Sequence, residues 1–476
     1  MEVYMIEKLL DNEDAKKYKV VKFIQKQRNR YISIEEIIAE TGISSKKIKE
    51  IINEIEQDEN EIYPNCSKNQ INYHKKMVIK STDYNPYHYL KFYLKRSLKY
   101  KWLEDIFLEK QINLEEEALE YHISTSTIYR RWKEFKRDIL DMGLSIKKTA
   151  RQRYRISGEE PTIRYLYYRI FMLIDCPIPL NKELEDETYH YLVNQNYGIA
   201  EGSIISFQTM LAVTIQRSLK NPINSTKKND FSLIEFKYSR DLFLERFFKF
   251  FKKYGRSETV ISKELDFLFF FLTTENTHDI SEFKNEVMDS TELSDCKYFN
   301  ILTDFKNEII EKRFELNLNN AELFCFYVNT YYGLRRNDLF KNAVNIVIEG
   351  EMPIAFECFK EKIKDYQFYH MLPLKQLFIL LEPIMKLEQK VIKILLINRN
   401  GDLVTKEIER MIEEEARFSP VFSKRLLDKP DIVISDGPLL EYTSLPVFYL
   451  SQLPNKFEIL SIVEEIHERF EKKTSS

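Results

Sequence analysis

The strongest constraint on this 476-residue chain is a sequence pattern that occurs twice, eighty residues apart. Ile43, Ser44, Ile48, Ile52 and Ile55 of the first copy correspond to Ile123, Ser124, Ile128, Trp132 and Phe135 of the second. In each copy a short amphipathic helix precedes a tight turn and a serine that can cap a second helix. The apolar residues of that second helix recur at spacings of three and four, so one face packs inward and the other stays free. The pattern predicts two helix-turn-helix units.

A free helix face that carries cations fits the major groove of DNA, and the second copy has more cations. Its recognition helix is predicted over Ser124 to Met142, with Gly143 as the C-cap. A two-stranded wing is predicted over Ser145 to Ile156, where cations suit phosphate contacts. The candidate DNA-binding residues of this unit are Ser124, Thr125, Ser126, Thr127, Tyr129, Arg130, Arg131, Lys133, Lys136, Arg137, Lys147, Lys148, Arg151 and Arg153.

The first copy has a less basic recognition helix. Its candidate DNA-binding residues are Ser44, Ser45, Lys46, Lys47 and Lys49. Acidic residues follow at Glu50, Glu54 and Glu56, which favours a supporting role for this unit. A helix over 16–27 and a hairpin wing within 65–79 are predicted around it, and one or two helices over 86–110 lead into the second unit.

The distribution of charge agrees with this ranking. Residues 1–155 hold 31 Lys and Arg against 25 Asp and Glu, whereas the remaining residues hold 41 against 50. Within the first part, residues 75–155 hold 19 against 11, so the basic excess surrounds the second unit. A basic segment on an acidic body is typical of nucleic-acid binding. Chance variation in a lysine-rich proteome is the alternative explanation.

Beyond residue 160 the chain reads as helices and then as a small sheet. The predicted helices are 162–173, 202–219, 233–253, 257–272, 292–312, 320–332, 352–369 and 374–387, with a break at 274–292 that divides two bundles. From Lys390 onward, strands at 391–397, 432–435 and 447–450 alternate with helices at 405–416 and 456–472. That alternation predicts a parallel sheet covered by helices. The expected fold class is therefore mostly α, with tandem winged-helix domains, two helical regulatory bundles and a small C-terminal α/β domain.

Composition excludes several other classes. The low content of Gly (10) and Pro (14) disfavours a β-rich or disordered chain. No apolar stretch approaches the roughly 20 residues of a membrane span, and the N-terminus does not read as a signal peptide. Five scattered cysteines suit a reducing cytoplasm and form no pair with metal-ligand spacing. We also find no phosphate-binding glycine loop and no hydrolase motif, so we expect no enzyme activity, no cofactor and no metal.

The order of these elements resembles the Mga/AtxA family of Gram-positive transcription regulators. The most telling local segment is Tyr154-Arg-Ile-Ser-Gly-Glu-Glu-Pro-Thr-Ile-Arg-Tyr-Leu-Tyr-Tyr168, which looks like the junction between the second winged helix and the first regulatory bundle of that family. The resemblance implies two regulation domains of the sugar phosphotransferase system and a C-terminal domain similar to enzyme IIB. The domains would be 1–80 and 81–158 (helix-turn-helix), 159–283 and 284–387 (regulation) and 388–476 (enzyme-IIB-like). The implied partners are promoter DNA, a second copy of the chain bound through the C-terminal domain, and phosphotransferase-system carrier proteins.

The sequence departs from the family pattern in two places, and at these places the functional residues of the family cannot be assigned to this chain. Regulation domains of this kind are controlled by phosphorylated histidines, yet the helices expected to carry them, 203–215 and 374–382, have none. His190 and His370 are the remaining candidates, ahead of His278 in a predicted loop, although a lone histidine is more often an ordinary surface residue. In the C-terminal domain, Asn398 follows the first strand where a phosphocarrier needs a cysteine, and no cysteine occurs after Cys358.

Two other functions compete with DNA binding. The chain could be an enzyme or a phosphotransferase-system phosphocarrier, which the missing motifs and the missing cysteine disfavour. It could also be an RNA-binding antiterminator, because related regulation domains occur in such proteins. Sequence-specific RNA readers usually present stacking aromatic residues to single strands, whereas this chain carries tandem helix-turn-helix units.

Overall fold

The computed structural model is mostly helical, with a small parallel sheet near the C-terminus. It describes residues 6–26, 31–64, 71–74, 77–80, 85–149, 153–174, 176–194, 201–223, 231, 233, 239–253, 256–275, 298–314, 318–340, 354–363, 375, 377–378, 381, 391–398, 402–416, 418–423, 425, 428–436, 445–451, 454 and 456–472. The chain forms two units, one of residues 1–351 with 360–384 and the other of residues 352–359 with 385–476. The predicted fold class is confirmed.

The first helix-turn-helix unit is a winged helix. Its elements are α1 (Asn12–Lys26), β1 (Tyr31–Ser33), α2 (Ile34–Thr41), α3 (Ser45–Ile62), β2 (Ile71–His74) and β3 (Met77–Lys80). The strands form an antiparallel sheet in the order β1-β3-β2, so the predicted hairpin is present and β1 adds a third strand to it. Ser33 and Glu36 form a reciprocal capping box that fixes the start of α2.

The second unit has four helices and a two-stranded wing. Its elements are α4 (Pro86–Arg96), α5 (Leu98–Phe107), α6 (Leu114–Glu120), α7 (Thr125–Asp141), β4 (Ser145–Lys148) and β5 (Tyr154–Ser157). The predicted recognition helix and wing are both confirmed, and Gly143 adopts the expected left-handed conformation with φ 76°.

The two winged helices share one hydrophobic core rather than forming separate modules. Ile24 and Ile52 of the first unit belong to the same buried cluster as Trp102 and Phe135 of the second. Arg96 of α4 also forms ion pairs with Asp14 of α1 and Asp58 of α3. The two units are therefore held as one rigid pair.

The bundle region follows directly. Its described helices are α8 (Glu160–Phe171), α9 (Lys182–Asn194), α10 (Glu201–Ser218), α11 (Arg240–Lys252), α12 (Glu258–Glu275), α13 (Phe299–Phe305), α14 (Asn320–Phe340) and α15 (Ile354–Ile363). The predicted helix over 233–253 is corrected at its start, because Ser239 caps α11 at Arg240. The prediction for 292–312 is confirmed as helical over 299–311, where α13 passes into a π-helical turn at Lys306–Glu311, and its residues 292–297 lie outside the described residues. Helix α14 runs eight residues past its predicted end, and α9 was not predicted.

Helix α8 contributes to two cores at once. Ile163, Leu166 and Ile170 belong to the cluster of the winged helices, whereas Tyr165 and Tyr168 belong to the cluster of the bundle. On one side Tyr167 packs on Phe107 of α5 at 4.6 Å between ring centroids, and on the other Tyr165 stacks on Phe340 of α14 at 4.3 Å. The helix thus joins the pair of winged helices, called the head from here on, to the bundle.

A buried charge network lies beside this joint. Arg164 of α8 is fully buried and forms a two-pronged ion pair with Glu264 of α12, which is 1% exposed. The Arg164 guanidinium also donates to Glu160 at 3.1 Å and to the carbonyl of Asn221 at 3.1 Å. Arg217 of α10 donates twice to the same Glu160, at 2.8 and 2.7 Å. Four buried or half-buried charges therefore satisfy one another, as interior charges must.

The C-terminal unit contains β6 (Val391–Ile397), α16 (Asp402–Glu415), β7 (Ser419–Ser423), β8 (Ile432–Ser435), β9 (Val447–Tyr449) and α17 (Lys456–Lys472). All strands are parallel, in the order β7-β6-β8-β9. Ile392, Ile394 and Leu396 alternate onto one face and share a cluster with Ile408 of α16 and Ile466 of α17. The predicted parallel sheet is confirmed, with β7 as an additional edge strand.

No helix in the described ranges combines the length and the apolar content that crossing a bilayer requires.

Candidate nucleic-acid interface

The turn of the second unit places the first residues of its recognition helix. Tyr121 ends α6, His122 adopts a left-handed conformation with φ 52°, and Ser124 caps α7. The Ser124 hydroxyl accepts a hydrogen bond from the backbone N–H of Thr127 at 3.2 Å and lies 2.9 Å from the Ser126 hydroxyl. These short polar side chains are exposed at the start of the helix. Positions of this kind contact base edges and phosphates in helix-turn-helix complexes.

The inward face of α7 is fixed by aromatic packing. Ile128, Phe135 and Ile139 are fully buried, and Trp132 is 5% exposed. The Trp132 ring meets Trp102 of α5 edge-on at 5.0 Å between centroids. Because this face is anchored, the orientation of the opposite face is fixed as well.

The opposite face carries free cations. Successive residues of an α-helix are turned by about 100°, so Ser126, Arg130, Lys133 and Arg137 lie on one side of α7, opposite Trp132. We call these four residues the free stripe. All four are exposed. Within the described part of the chain, Arg130 and Lys133 form no ion pair. Among the other predicted residues, Thr125 and Lys136 are exposed, Thr127 is half-buried, and Tyr129 is 50% exposed.

Arg131 has a different environment from its predicted companions. Its guanidinium is turned away from the free stripe, and Nη1 lies 3.5 Å from Oδ2 of Asp11. The side chain is 33% exposed. The structure therefore separates Arg130 and Arg131, which the sequence placed together.

The wing presents two cations directly opposite one another. Lys147 of β4 pairs with Arg155 of β5 in the hairpin register, and both side chains are exposed. Like charges at opposed positions destabilise a hairpin, so this arrangement favours the binding of an anion. Arg155 is one of the wing cations expected to suit phosphate contacts, although it was not among the individually named candidates.

The other wing residues tie the hairpin to the recognition helix. Lys148 is exposed, with its ammonium 5.9 Å from the ring centroid of Tyr154, and that ring packs on Trp132 at 4.7 Å. Arg153 is half-buried, and its carbonyl accepts a bond from the N–H of Thr149 at 2.7 Å. The predicted residue Arg151 lies outside the described residues. Recognition helix and wing thus form one surface.

The first unit repeats the geometry with less free charge. Ser44 caps α3 by accepting from the backbone N–H of Lys47 at 3.4 Å. Ser45, Lys46 and Lys49 are exposed. The Lys47 ammonium, in contrast, lies among carboxylates, 3.2 Å from Glu13, 3.7 Å from Glu50 and 3.9 Å from Glu54. One of its three lysines is therefore already neutralised.

The histidine candidates are only partly described. His190 is exposed on α9, with its ring 6.3 Å from that of Tyr189. His370 and His278 lie outside the described residues, as does most of the predicted helix 374–382. Residues 203–215 are confirmed as helical, within α10.

The arrangement of α6, α7 and the wing defines the class of the protein, a winged helix-turn-helix protein with a cationic recognition face. Residues 87–171 match the family model of the Mga helix-turn-helix domain, a span that runs from α4 to the last residue of α8. This match supports membership of the Mga/AtxA family, and the chain is a DNA-binding regulator. No curated protein matches it significantly. Among the described residues no group of histidine, cysteine and carboxylate side chains could hold a metal ion.

Proposed function

We propose that this protein is a transcription activator of the Mga/AtxA type that binds promoter duplex DNA in the cytoplasm, mainly through its second winged helix. The free stripe of α7 carries the proposal: Arg130 and Lys133 are exposed, and neither has an ion-pair partner within the described residues. Lys147 and Arg155 extend the same positive surface into the wing. A helix in the major groove with a basic wing on the adjoining backbone is the docking that these positions favour.

A gel-shift comparison of duplex DNA, an RNA hairpin and single-stranded DNA tests this proposal with the full chain. Duplex binding that weakens steeply with salt supports it, because each phosphate contact contributes about −0.9 to the log–log salt slope. Preferential binding of the RNA hairpin would instead favour an antiterminator.

The surface is tested by paired substitutions. Arg130→Ala with Lys133→Ala should weaken duplex binding. Lys252→Ala with Lys406→Ala is the matched control, because these lysines are exposed on α11 and α16 and their loss changes the net charge equally. Equal losses from both pairs would contradict the assignment of α7.

The five-domain division, with regulation domains at 159–283 and 284–387, is part of the same proposal. If phosphotransferase-system carriers modify the chain, His190 is the described candidate, since it is exposed on α9 beside Tyr189, and His370 is the second. A phosphate on His190 would place negative charge on this face of α9. Incubation with the carrier proteins followed by mass spectrometry tests it, with His190→Ala as the control. Label confined to another residue would remove this candidate.

We further propose that the C-terminal domain is an assembly module and not a phosphocarrier. Asn398 stands after β6, where transfer would need a nucleophilic cysteine. Apolar side chains are exposed on both edge strands, Val421 at 43% on β7 and Tyr449 at 58% on β9, which favours pairing with a second copy. Val421→Asp with Tyr449→Asp should shift the chain to monomer in light scattering. A variant that remains fully dimeric would contradict this role.

A further inference from the structure

The start of α1 contacts a cation on each of the two recognition helices. Asp11 Oδ2 lies 3.5 Å from Nη1 of Arg131 on α7, and Glu13 Oε2 lies 3.2 Å from Nζ of Lys47 on α3. Only one residue separates the two acids in the sequence. One short segment therefore forms an ion pair with both DNA-binding units.

Both cations lie on the flanks of their helices. Arg131 follows Arg130 directly, so its side chain leaves α7 about 100° away from the free stripe. Side chains on the flank of a helix in the major groove face the phosphates that border the groove, whereas the stripe itself faces the bases. The acids of α1 thus occupy two cations that would otherwise be available to phosphates.

The two ion pairs differ in the number of other carboxylates that lie near the cation. Asp11 is the only carboxylate within 4 Å of the Arg131 guanidinium among the described residues. Lys47 also has Glu50 and Glu54 nearby, so it stays neutralised without Glu13. Glu13 in turn has a second partner, Lys16, at 2.7 Å. Arg131 is therefore the cation that the loss of a single acid would release.

The surroundings of Asp11 hold this carboxyl in place. It is 23% exposed, and burial raises its pKa, an effect that Arg131 opposes. The backbone N–H of Leu98 at the start of α5 also favours the charged form of this carboxyl, and an asparagine has the same shape and size as aspartate. Asp11→Asn is consequently a change of charge with little change of shape.

We propose that Asp11 restrains phosphate binding by this protein: it pairs with Arg131 at the edge of the recognition surface, and Glu13 acts in the same sense on Lys47. The restraint lowers the affinity for DNA of any sequence, because phosphates are common to all sequences. Contacts from the free stripe to base edges then supply a larger share of the binding energy. This inference rests on the proposed function and concerns the same surface.

Fluorescence anisotropy with a labelled random-sequence duplex, measured over a salt series on the full chain, tests the restraint. Asp11→Asn should bind more tightly than the wild type, and its log–log salt slope should steepen by about 0.9, the value of one added phosphate contact. Glu13→Gln should change the slope less. Arg131→Ala alone should leave the slope close to that of the wild type, and Asp11→Asn with Arg131→Ala should return it to the wild-type value.

Glu183→Gln is the matched control, because it removes one negative charge and breaks the exposed ion pair of Glu183 with Lys253 on the bundle. If Asp11→Asn and Glu183→Gln shift the slope equally, net charge is responsible and the restraint is contradicted. A clear loss of slope in Arg131→Ala also contradicts it, and this variant decides the question if Asp11→Asn fails to fold. Absence of duplex binding by the wild type and Asp11→Asn alike would contradict the proposed function itself.

Discussion

Gly42 and His122 occupy the same position in the turns of the two helix-turn-helix units, and both have the left-handed backbone conformation, with φ 67° and 52°. The eighty-residue offset that aligns the buried residues therefore also aligns the backbone of the turn. The first unit has glycine, which adopts this conformation without strain, whereas the second holds a side chain in it.

We expect His122→Gly to stabilise the protein by about 0.5–1 kcal/mol, because relief of the left-handed strain exceeds the added chain entropy of glycine. Gly42→Ala should destabilise it by about 1 kcal/mol through the backbone alone, since an added Cβ would meet nothing within 4 Å. Thermal melts of both variants measure the two effects. A lower melting temperature for His122→Gly would mean that the imidazole contributes to stability.

We expect the second recognition helix to contribute more to duplex binding than the first. Arg130→Ala with Lys133→Ala should weaken duplex binding more than Lys46→Ala with Lys49→Ala, because Glu50, Glu54 and Glu56 follow on α3 and lower the positive potential of its surface. The two double variants change the net charge equally, so each controls for the other in anisotropy titrations. Equal losses of affinity would contradict this ranking of the two helices.

The wing should show opposite effects on stability and binding. Lys147→Glu places an acid opposite Arg155, and such a cross-strand pair is worth roughly 0.2–1 kcal/mol. The same change should weaken duplex binding through repulsion of phosphates. Lys147→Gln separates loss of positive charge from gain of negative charge, with stability followed by thermal melts and binding by gel shift. Unchanged affinity in both variants would remove the wing from the interface.

Removing one charged residue from the buried network around Arg164 should strongly destabilise the folded protein. Arg164→Met leaves Glu264 buried and unpaired and should lower the free energy of unfolding by about 3–5 kcal/mol. Arg164→Met with Glu264→Leu should recover much of this loss, because the remaining charges, Arg217 and Glu160, still pair with each other. Glu183→Gln, at an exposed pair, should stay within about 1 kcal/mol of the wild type. Denaturant titration compares the three.

The stability of the protein should depend on pH through the carboxyl group of Glu117. Its carboxylate accepts the Trp102 Nε1–H, and burial raises its pKa above the ordinary value of 4.5. A raised pKa in the folded state means that the stability linked to this group is present below pH 4.5 and is lost as the pH rises through the folded-state pKa. Glu117→Gln should therefore melt higher than the wild type at pH 7, with a difference that disappears below pH 4.5. A constant difference across pH would exclude ionisation as the cause.

Local sequence patterns were enough to predict the recognition helices. Ile128, Trp132 and Phe135 recur at helical spacing and are buried as expected, and Ser124 caps the helix as expected. These features depend on residues close together in the chain, where periodicity and capping are directly readable.

The missed features depend on distant residues or on unusual local composition. The ion pair of Arg131 with Asp11 joins residues 120 positions apart and leaves no trace in a local pattern. Strand β7 contains Pro420, which normally disfavours a strand and is tolerated here because β7 lies at the sheet edge. Helix α9 is rich in charged residues and tyrosines, and its buried positions are Leu184, Thr188, Tyr191 and Leu192.

Helix α8 has a consequence for how proteins of this architecture can diverge. A one-residue insertion within it would rotate every following side chain by about 100°, moving Leu166 and Tyr168 away from their separate cores together. Selection should therefore remove insertions and deletions from this helix, whereas they can accumulate in the loops around it. A chimaera that joins the head of one homologue to the bundle of another must take α8 whole from one parent and adapt the facing residues of the other.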